Sequence, residues 1–377
     1  MKTPFKNLQK LIIAAVILVV FLVFWFSLPN PLFKSPTSFV LEANNGELLS
    51  AGIAEDGQWR FPVRDTLPEK FAECITTFED KRFYYHPGID PLALARAIKL
   101  NLSSKRTVSG ASTITMQVIR LSMNKRRTYW QKFKELILAF RLELSYSKQE
   151  ILALYAANAP FGSNVVGLEA ASWRYFSRSP DRLSWAEMAM LAVLPNAPSL
   201  IHPGKNRAQL LRKRNILLDQ LYQEKIIDSN TAQLAKLEPI PEQPVALPQY
   251  APHLLDKFKQ DYPTLKTEKT ILRTTINISL QRNISRILKR NHQQFKANGI
   301  NNAAALVLDV ETGNTLAYVG NVYDPSDPEL ESHVDMIKAV RSPGSTLKPL
   351  LYAAMLTDGM ILPNTLIQDI PTQIGGY

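Results

Sequence analysis

Two polar motifs hold the residue types most able to do chemistry. In the first, Glu79-Asp80-Lys81-Arg82-Phe83-Tyr84-Tyr85-His86-Pro87-Gly88, adjacent carboxylates stand among aromatic rings. Neighbouring carboxylates repel, and the rings of Phe78, Phe83, Tyr84 and Tyr85 are apolar. Such a cluster is unusual as a structural surface, so Glu79 is a candidate catalytic base. The second motif, GASTITMQVIR from Gly110 to Arg120, begins about thirty residues later. Ser112 is the expected N-cap of a helix, and the spacing of Thr113, Gln117 and Arg120 sets a hydroxyl, an amide and a guanidinium on one face. That face suits a phosphate or sugar ligand, because Arg binds two phosphate oxygens while Thr and Gln bond hydroxyls. A solvated polar face is the simpler alternative. Further on, Lys132 and Glu135 lie one turn apart after Arg126 and Arg127, and an exposed ion pair explains them equally well. Lys148 adds a cation at the entry of KQEILALYAANAPFGSN.

These side chains need elements to position them. From Phe71 to Leu237 the chain is a succession of amphipathic helical patterns, LALARAIKLNL, STITMQVIRLSM, KFKELILAFRLELSY, KQEILALYAANA, WAEMAMLAVL and AQLLRKRNILLDQLYQEKII, which predicts an all-α domain over 65–237. Residues 238–252 contain five prolines in fifteen positions and read as an extended connector within a linker region, 238–300. Beyond it, ILRTTINISL and AALVLDVETGNTLAYVG alternate in strand fashion, with a hairpin turn at Glu311-Thr312-Gly313-Asn314, so 301–377 reads as the start of an α+β domain.

Residues 11–28, LIIAAVILVVFLVFWFSL, carry Ser27 as their only polar side chain and at ~1.5 Å per residue nearly cover a hydrocarbon core of ~30 Å. Lys2, Lys6 and Lys10 precede them. The positive-inside bias then makes 1–10 a cytoplasmic tail, 11–28 an uncleaved single transmembrane anchor and 29–64 a membrane-proximal connector, with everything later outside. Within 377 residues that are 46% hydrophobic there is room for two domains and an anchor. The single Cys74 excludes an intrachain disulfide framework and reads as a small buried hydrophobe. A net charge of +11 calls for anionic partners. Placed outside a membrane, that charge is directed at anionic lipids or a lipid-linked substrate rather than at nucleic acid.

Taken together, the motifs resemble the peptidoglycan glycosyltransferase family (family 51) of bifunctional class A penicillin-binding proteins. The pattern Glu-Asp-x-x-Phe-x-x-His-x-Gly is met by Glu79, Asp80, Phe83, His86 and Gly88. Gly-Gly-Ser-Thr-Ile-Thr-Gln-Gln appears as Gly110 to Gln117, with Ala111 and Met116 as departures. Arg-Lys-x-x-Glu is met by Lys132 and Glu135, with Gln131 in place of Arg, and Lys-x-x-Ile-Leu-x-x-Tyr by Lys148 to Tyr155. The variations GASTITMQ and APFGSN look most like the type 1C branch. Past the linker, Ser345-Thr346-Leu347-Lys348 in RSPGSTLKPLLYAAML is similar to the nucleophile motif of the penicillin-binding, beta-lactamase-like serine transpeptidases, in which Lys348 activates Ser345. No Ser-x-Asn or Lys-Thr-Gly follows Lys348, so the expectation is an incomplete transpeptidase part without transpeptidase activity.

The resemblance implies a mainly α, lysozyme-like domain that polymerises lipid II into glycan strands at the outer face of the bacterial cytoplasmic membrane, with lipid-linked glycan chains and other cell-wall synthesis proteins as partners. Glu79 would be the base that activates the acceptor hydroxyl, with Asp80 and His86 organising the site. Phe83, Ser112, Thr113, Gln117, Arg120, Lys132 and Lys148 would bind substrate. Glu135 would be the second catalytic glutamate, a ligand for Mg²⁺ or Mn²⁺ or a group orienting the cations, and it is expected to share one cleft with Glu79 without touching it. Met116 and Gln131 remove an amide and a charge near the diphosphate, for which Lys125, Arg126 and Arg127 are the available substitutes. Two other classes fit the same residues: a non-catalytic membrane-tethered scaffold, and a lysozyme-like hydrolase using water as acceptor.

Overall fold

The computed structural model describes residues 4–64, 66–104, 112–123, 125, 128–198, 200–262, 270–340 and 342–367. The chain opens with helix α1, Pro4–Trp25. The apolar side chains of Leu11 to Val23 point into solvent, which is what a helix without a protein partner on its apolar surface does. The helix ends at Trp25, three residues before the predicted limit. Among the described residues no helix is long and apolar enough to cross a membrane; side chains of α1 are described only from Lys10 on. The expected crossing therefore rests on the sequence.

Strands β1 (Val40–Glu42), β2 (Leu48–Ala51) and β3 (Trp59–Arg60) lead into the helical part. That part is formed by α2 (Glu69–Glu79), α3 (Pro91–Ser104), α4 (Ile114–Met123), α5 (Tyr129–Glu143), α6 (Lys148–Asn158), β4 (Val165–Val166), α7 (Leu168–Phe176), α8 (Trp185–Val193), α9 (Arg207–Gln223) and α10 (Ser229–Leu237). Every apolar run singled out in 71–237 is a helix. Ser147 and Ser184 start α6 and α8 with reciprocal capping boxes to Glu150 and Glu187, so local chemistry fixes where the periodic segments begin. Helix α8 is the centre: Ala186 to Val193 are all buried, with α2 and α9 packed against it. A helix apolar on every side has to be enclosed in this way. Cys74 lies in this core on α2, where burial pushes its thiol up and keeps it protonated.

The linker region carries more structure than its prolines suggest. Residues 238–251 are without a helix as expected, but α11 (Pro252–Asp261), β5 (Ile271–Arg273) and α12 (Ile278–Phe295) follow. ILRTTINISL was expected to be a strand throughout. Only its first residues are, because the Asn277 carboxamide accepts the Leu280 N–H and starts α12. Strand β5 pairs in parallel with β1, which pairs antiparallel with β2, so the region before the helical domain and the region after it share one sheet. Leu41 and Leu49 from that sheet pack with Leu255, Phe258, Ile278 and Tyr318 in a second, smaller core. Beyond it, β6 (Ala305–Leu308) and β7 (Thr315–Val319) form the expected antiparallel hairpin, and Gly313 supplies the positive φ its turn requires. A 3₁₀ turn at Gly344–Leu347 leads into α13, Lys348–Thr357.

Candidate active site

Glu79 is the last residue of α2 and stands on a cavity of about 580 Å³. Asp80, Lys81, Arg82, Asp90, Arg96 and Ser112 are among the polar residues that line it. The Glu79 carboxylate is held by amides: Gln117 Nε2 donates to Oε2 at 2.8 Å, and Asn196 Nδ2 approaches Oε1 at 3.5 Å.

The loop after Glu79 is the hub on which the second motif and Lys148 converge. Asp80, 7% exposed, accepts from His86 Nε2 at 3.0 and 3.1 Å and from the Ile114 N–H at the first turn of α4. The Gly88 carbonyl accepts the Thr113 hydroxyl at 2.6 Å, and the His86 carbonyl accepts Lys148 Nζ at 2.7 Å. Asp90 takes a forked pair from Arg82 (2.8–3.0 Å) and the N–H groups of Leu92 and Ala93 that open α3. Burial pushes the Asp90 carboxyl up, but the Ala93 N–H and the Arg82 guanidinium outweigh it and hold the group below the usual carboxylate range.

Several of the residues expected to bind substrate are engaged within the protein. Phe83 is fully buried, with Lys148 Nζ 4.4 Å above its ring, and His86 is buried against Asp80, so both shape the loop from inside. Lys148 is occupied by the His86 carbonyl and Glu143 Oε1 and acts as a brace. Ser112 is not the cap of α4. Thr113 is: its hydroxyl accepts the Met116 N–H at 3.2 Å while donating to Gly88, and it is 2% exposed. Ser112 stands on the cavity wall and accepts Lys132 Nζ at 2.7 Å.

Glu135 does not line the Glu79 cavity among the described residues. It is buried on α5 with Oε2 3.7 Å from Lys132 Nζ, so it reaches the cavity through Lys132 and Ser112, and the expected shared cleft becomes an indirect connection. That Oε2 has no hydrogen-bond partner among the described residues. One buried carboxylate oxygen without a donor fits a hard divalent cation whose remaining ligands come from a diphosphate. Asp80, His86 and Asp90 also bring ligand atoms within 4.8 Å of one another. Their hydrogen bonds to Ile114, Arg82, Leu92 and Ala93 engage the carboxylates, so the cluster reads as structural.

Arg120 lines a second cavity of about 230 Å³ with Gln117, Tyr155 and Asn196. Burial first, and Glu79 second, push the Tyr155 hydroxyl up, with Arg120 pulling the other way. That hydroxyl is buried without a hydrogen-bond partner among the described residues. Sequence reasoning missed Asn196, Tyr155, Arg82 and Arg96 as site residues. Arg82 and Tyr155 stood inside motifs already in view, whereas Asn196 has no local signature and is brought to Glu79 only by the packing of α8 on α2. Lys125 is exposed, and Arg126 and Arg127 lie outside the described residues. Ser345, in the 3₁₀ turn before α13, and Lys348, at its start, are exposed, far along the chain from this site.

Comparison with known proteins agrees with these motifs. Residues 45–222 match the transglycosylase family and residues 303–377 the penicillin-binding protein transpeptidase domain. Penicillin-binding protein 1C of Escherichia coli (strain K12) is 36% identical over 354 residues, covering 93% of this chain and 44% of that protein. This chain belongs to the class A penicillin-binding proteins. Penicillin-binding protein 1B of the same organism is 29% identical, over 86% of this chain and 40% of the relative. The chain thus spans less than half the length of the two relatives named. Among solved structures, penicillin-binding protein 1A from Haemophilus influenzae overlays with a TM-score of 0.32 at 17% identity, covering 77% of this chain and 42% of that one, too loosely to carry an argument. The transglycosylase match begins inside β1–β2, about twenty residues before the predicted start at 65, consistent with the packing of Leu48 and Ala51 into the helical core.

Proposed function

We propose that this penicillin-binding protein polymerises lipid II into glycan strands at the outer face of the bacterial cytoplasmic membrane, with Glu79 as the base. The observation that carries the reading is a carboxylate on the wall of a 580 Å³ cavity, oriented by amides, with guanidinium and ammonium groups on the same wall. Joining two lipid-linked disaccharides needs a base for the attacking hydroxyl and positive charge for the departing diphosphate. The acceptor O–H breaks and its proton passes to Glu79. The oxygen bonds the anomeric carbon as the bond to the diphosphate breaks, and the diphosphate leaves with the electron pair. Lys132 and Arg120 meet the diphosphate, and Ser112, tied to Lys132, contributes a hydroxyl. Asp80 and His86 hold the loop that carries the base. Glu135, through Oε2, would hold Mg²⁺ or Mn²⁺ beside the Lys132 ammonium, and the ion when bound would supply further positive charge to the leaving group.

The anchor reading of residues 11–28 is supported by the outward apolar surface of α1. Its end is tied to the helical domain where Arg141 Nε donates to the Trp25 carbonyl and the guanidinium stacks 4.4 Å over the Trp25 ring. Helix α3 exposes Leu92, Leu94 and Leu100 beside Arg96 and Lys99. Helix α5 offers a second stripe, Trp130, Phe133, Ile137, Phe140 and Leu144, exposed at spacings of three and four. Both suit a substrate whose tail stays in lipid, and anionic lipids and other cell-wall synthesis proteins are the proposed partners. Incubation of the detergent-purified chain with lipid-linked disaccharide-peptide tests the reading. Polymer is expected. Cleavage of added glycan instead would indicate a hydrolase, and binding without turnover a scaffold.

A further inference from the structure

The Glu79 carboxylate is held unequally. Gln117 makes a full hydrogen bond to Oε2 at 2.8 Å, whereas Asn196 stands 3.5 Å from Oε1, at the limit of contact. Asn196 in turn accepts Lys213 Nζ on its Oδ1 at 2.7 Å. An ammonium only donates and an ionised carboxylate only accepts. A carboxamide between the two has one satisfactory orientation, with oxygen toward Lys213 and nitrogen toward Glu79. The supports come from separate elements packed on one another: Asn196 ends the 3₁₀ turn Leu194–Asn196 that follows α8, Lys213 lies on α9, and Gln117 on α4.

We infer that Asn196, oriented by Lys213, is a positioning residue for Glu79, steadying Oε1 as the oxygen that takes the acceptor proton while Gln117 fixes Oε2. The inference rests on the proposed glycosyl transfer. An amide orients a carboxylate without the charge–charge attraction that makes a carboxylate a weaker base, and its loose contact leaves Oε1 a lone pair for the incoming hydroxyl. On proton transfer the acceptor O–H breaks, the Oε1–H bond forms, and the freed electron pair makes the new glycosidic bond as the bond from the anomeric carbon to the diphosphate breaks and the diphosphate leaves with its electron pair. Lys213 keeps its charge one residue removed, where it fixes the amide rather than the base.

Steady-state polymerisation by the full chain, with lipid-linked disaccharide-peptide as substrate, tests this. Asn196→Ala is expected to lower kcat about tenfold with KM changed less than about twofold. Asn196→Asp, which sets a second negative charge beside the base, is expected to move the acidic limb of the pH–rate profile to higher pH. Lys213→Met should lose activity several-fold, and Lys213→Arg, also a pure donor, should restore most of it. An unchanged kcat and pH profile in both Asn196 variants, or equal loss in Lys213→Arg and Lys213→Met, would overturn the inference. If the wild-type chain makes no polymer, the proposed function fails and the clamp is read without turnover. In protein labelled with ¹⁵N-asparagine, the Asn196 side-chain signal, identified by its loss in Asn196→Asp, must shift in both Glu79→Gln and Lys213→Met. A signal indifferent to both removes the clamp.

Discussion

Lys132 reaches from α5 to the Ser112 hydroxyl on the cavity wall, whereas Lys148 turns inward to a backbone carbonyl, a carboxylate and an aromatic face. The two lysines therefore answer different measurements. Lys132→Met should weaken donor binding about tenfold or more, because a positive charge facing the diphosphate is lost, with little change in melting temperature. Lys148→Met should lower the melting temperature by several degrees, since it leaves Glu143 and the His86 carbonyl without their cation, while the donor affinity of the folded fraction stays near wild type. Binding of a fluorescent lipid-linked donor and thermal melts distinguish the two. The sequence showed both as cations inside a motif. It did not show that one is tied to a side chain on the cavity wall and the other to the inside of the loop, because that depends on which side of α5 and α6 meets the loop.

The active-site loop is held both by its own pairs, Asp80 with His86 and Arg82 with Asp90, and by the helices it packs on. Gly88 adopts φ +83, and a Cβ there would stand 2.8 Å from the Ala139 carbonyl of α5. Gly88→Ala should therefore cost about 2–4 kcal/mol through backbone strain plus overpacking, visible in denaturant unfolding. A second device joins helix to sheet. Arg64 bridges Glu42 of β1 at 2.7 Å and Glu169 of α7 at 2.8 Å, and Arg273 of β5 approaches Glu42 at 3.4 Å. Burial pushes the Glu169 carboxyl up to about 7, with Arg64 opposing and Asp181 and Glu42 adding to the rise. A carboxyl raised on folding binds its proton more tightly in the native state than in the unfolded chain. Its contribution to stability is complete below the unfolded value and fades as pH rises through about 7. Glu169→Gln should flatten the decline of melting temperature between about pH 5 and pH 7.5. An unchanged slope would place the proton elsewhere.

At the scale of the molecule, the helical domain and its order of motifs were legible because period, capping residues and the run of apolar positions agree from Phe71 to Leu237. The sheet that joins β1 to β5 was not, since Val40–Glu42 and Ile271–Arg273 are too short to announce themselves and pair across more than two hundred residues. Asn196 was hidden for the same reason: its partner Glu79 is 117 positions away. What those long-range contacts build is one base at the end of α2, held by amides from α4 and from the turn after α8, on the wall of a cavity lined by charges of both signs, and the account stands on that base. The most direct measurement is polymerisation of lipid-linked disaccharide-peptide by wild-type chain and by Glu79→Gln, alongside donor binding to each. The glutamine keeps the shape and the amide neighbours but cannot take a proton, so kcat should fall by about 10²-fold or more with donor affinity within about threefold. A variant that polymerises at a rate near wild type would show that another group is the base and would contradict the site described.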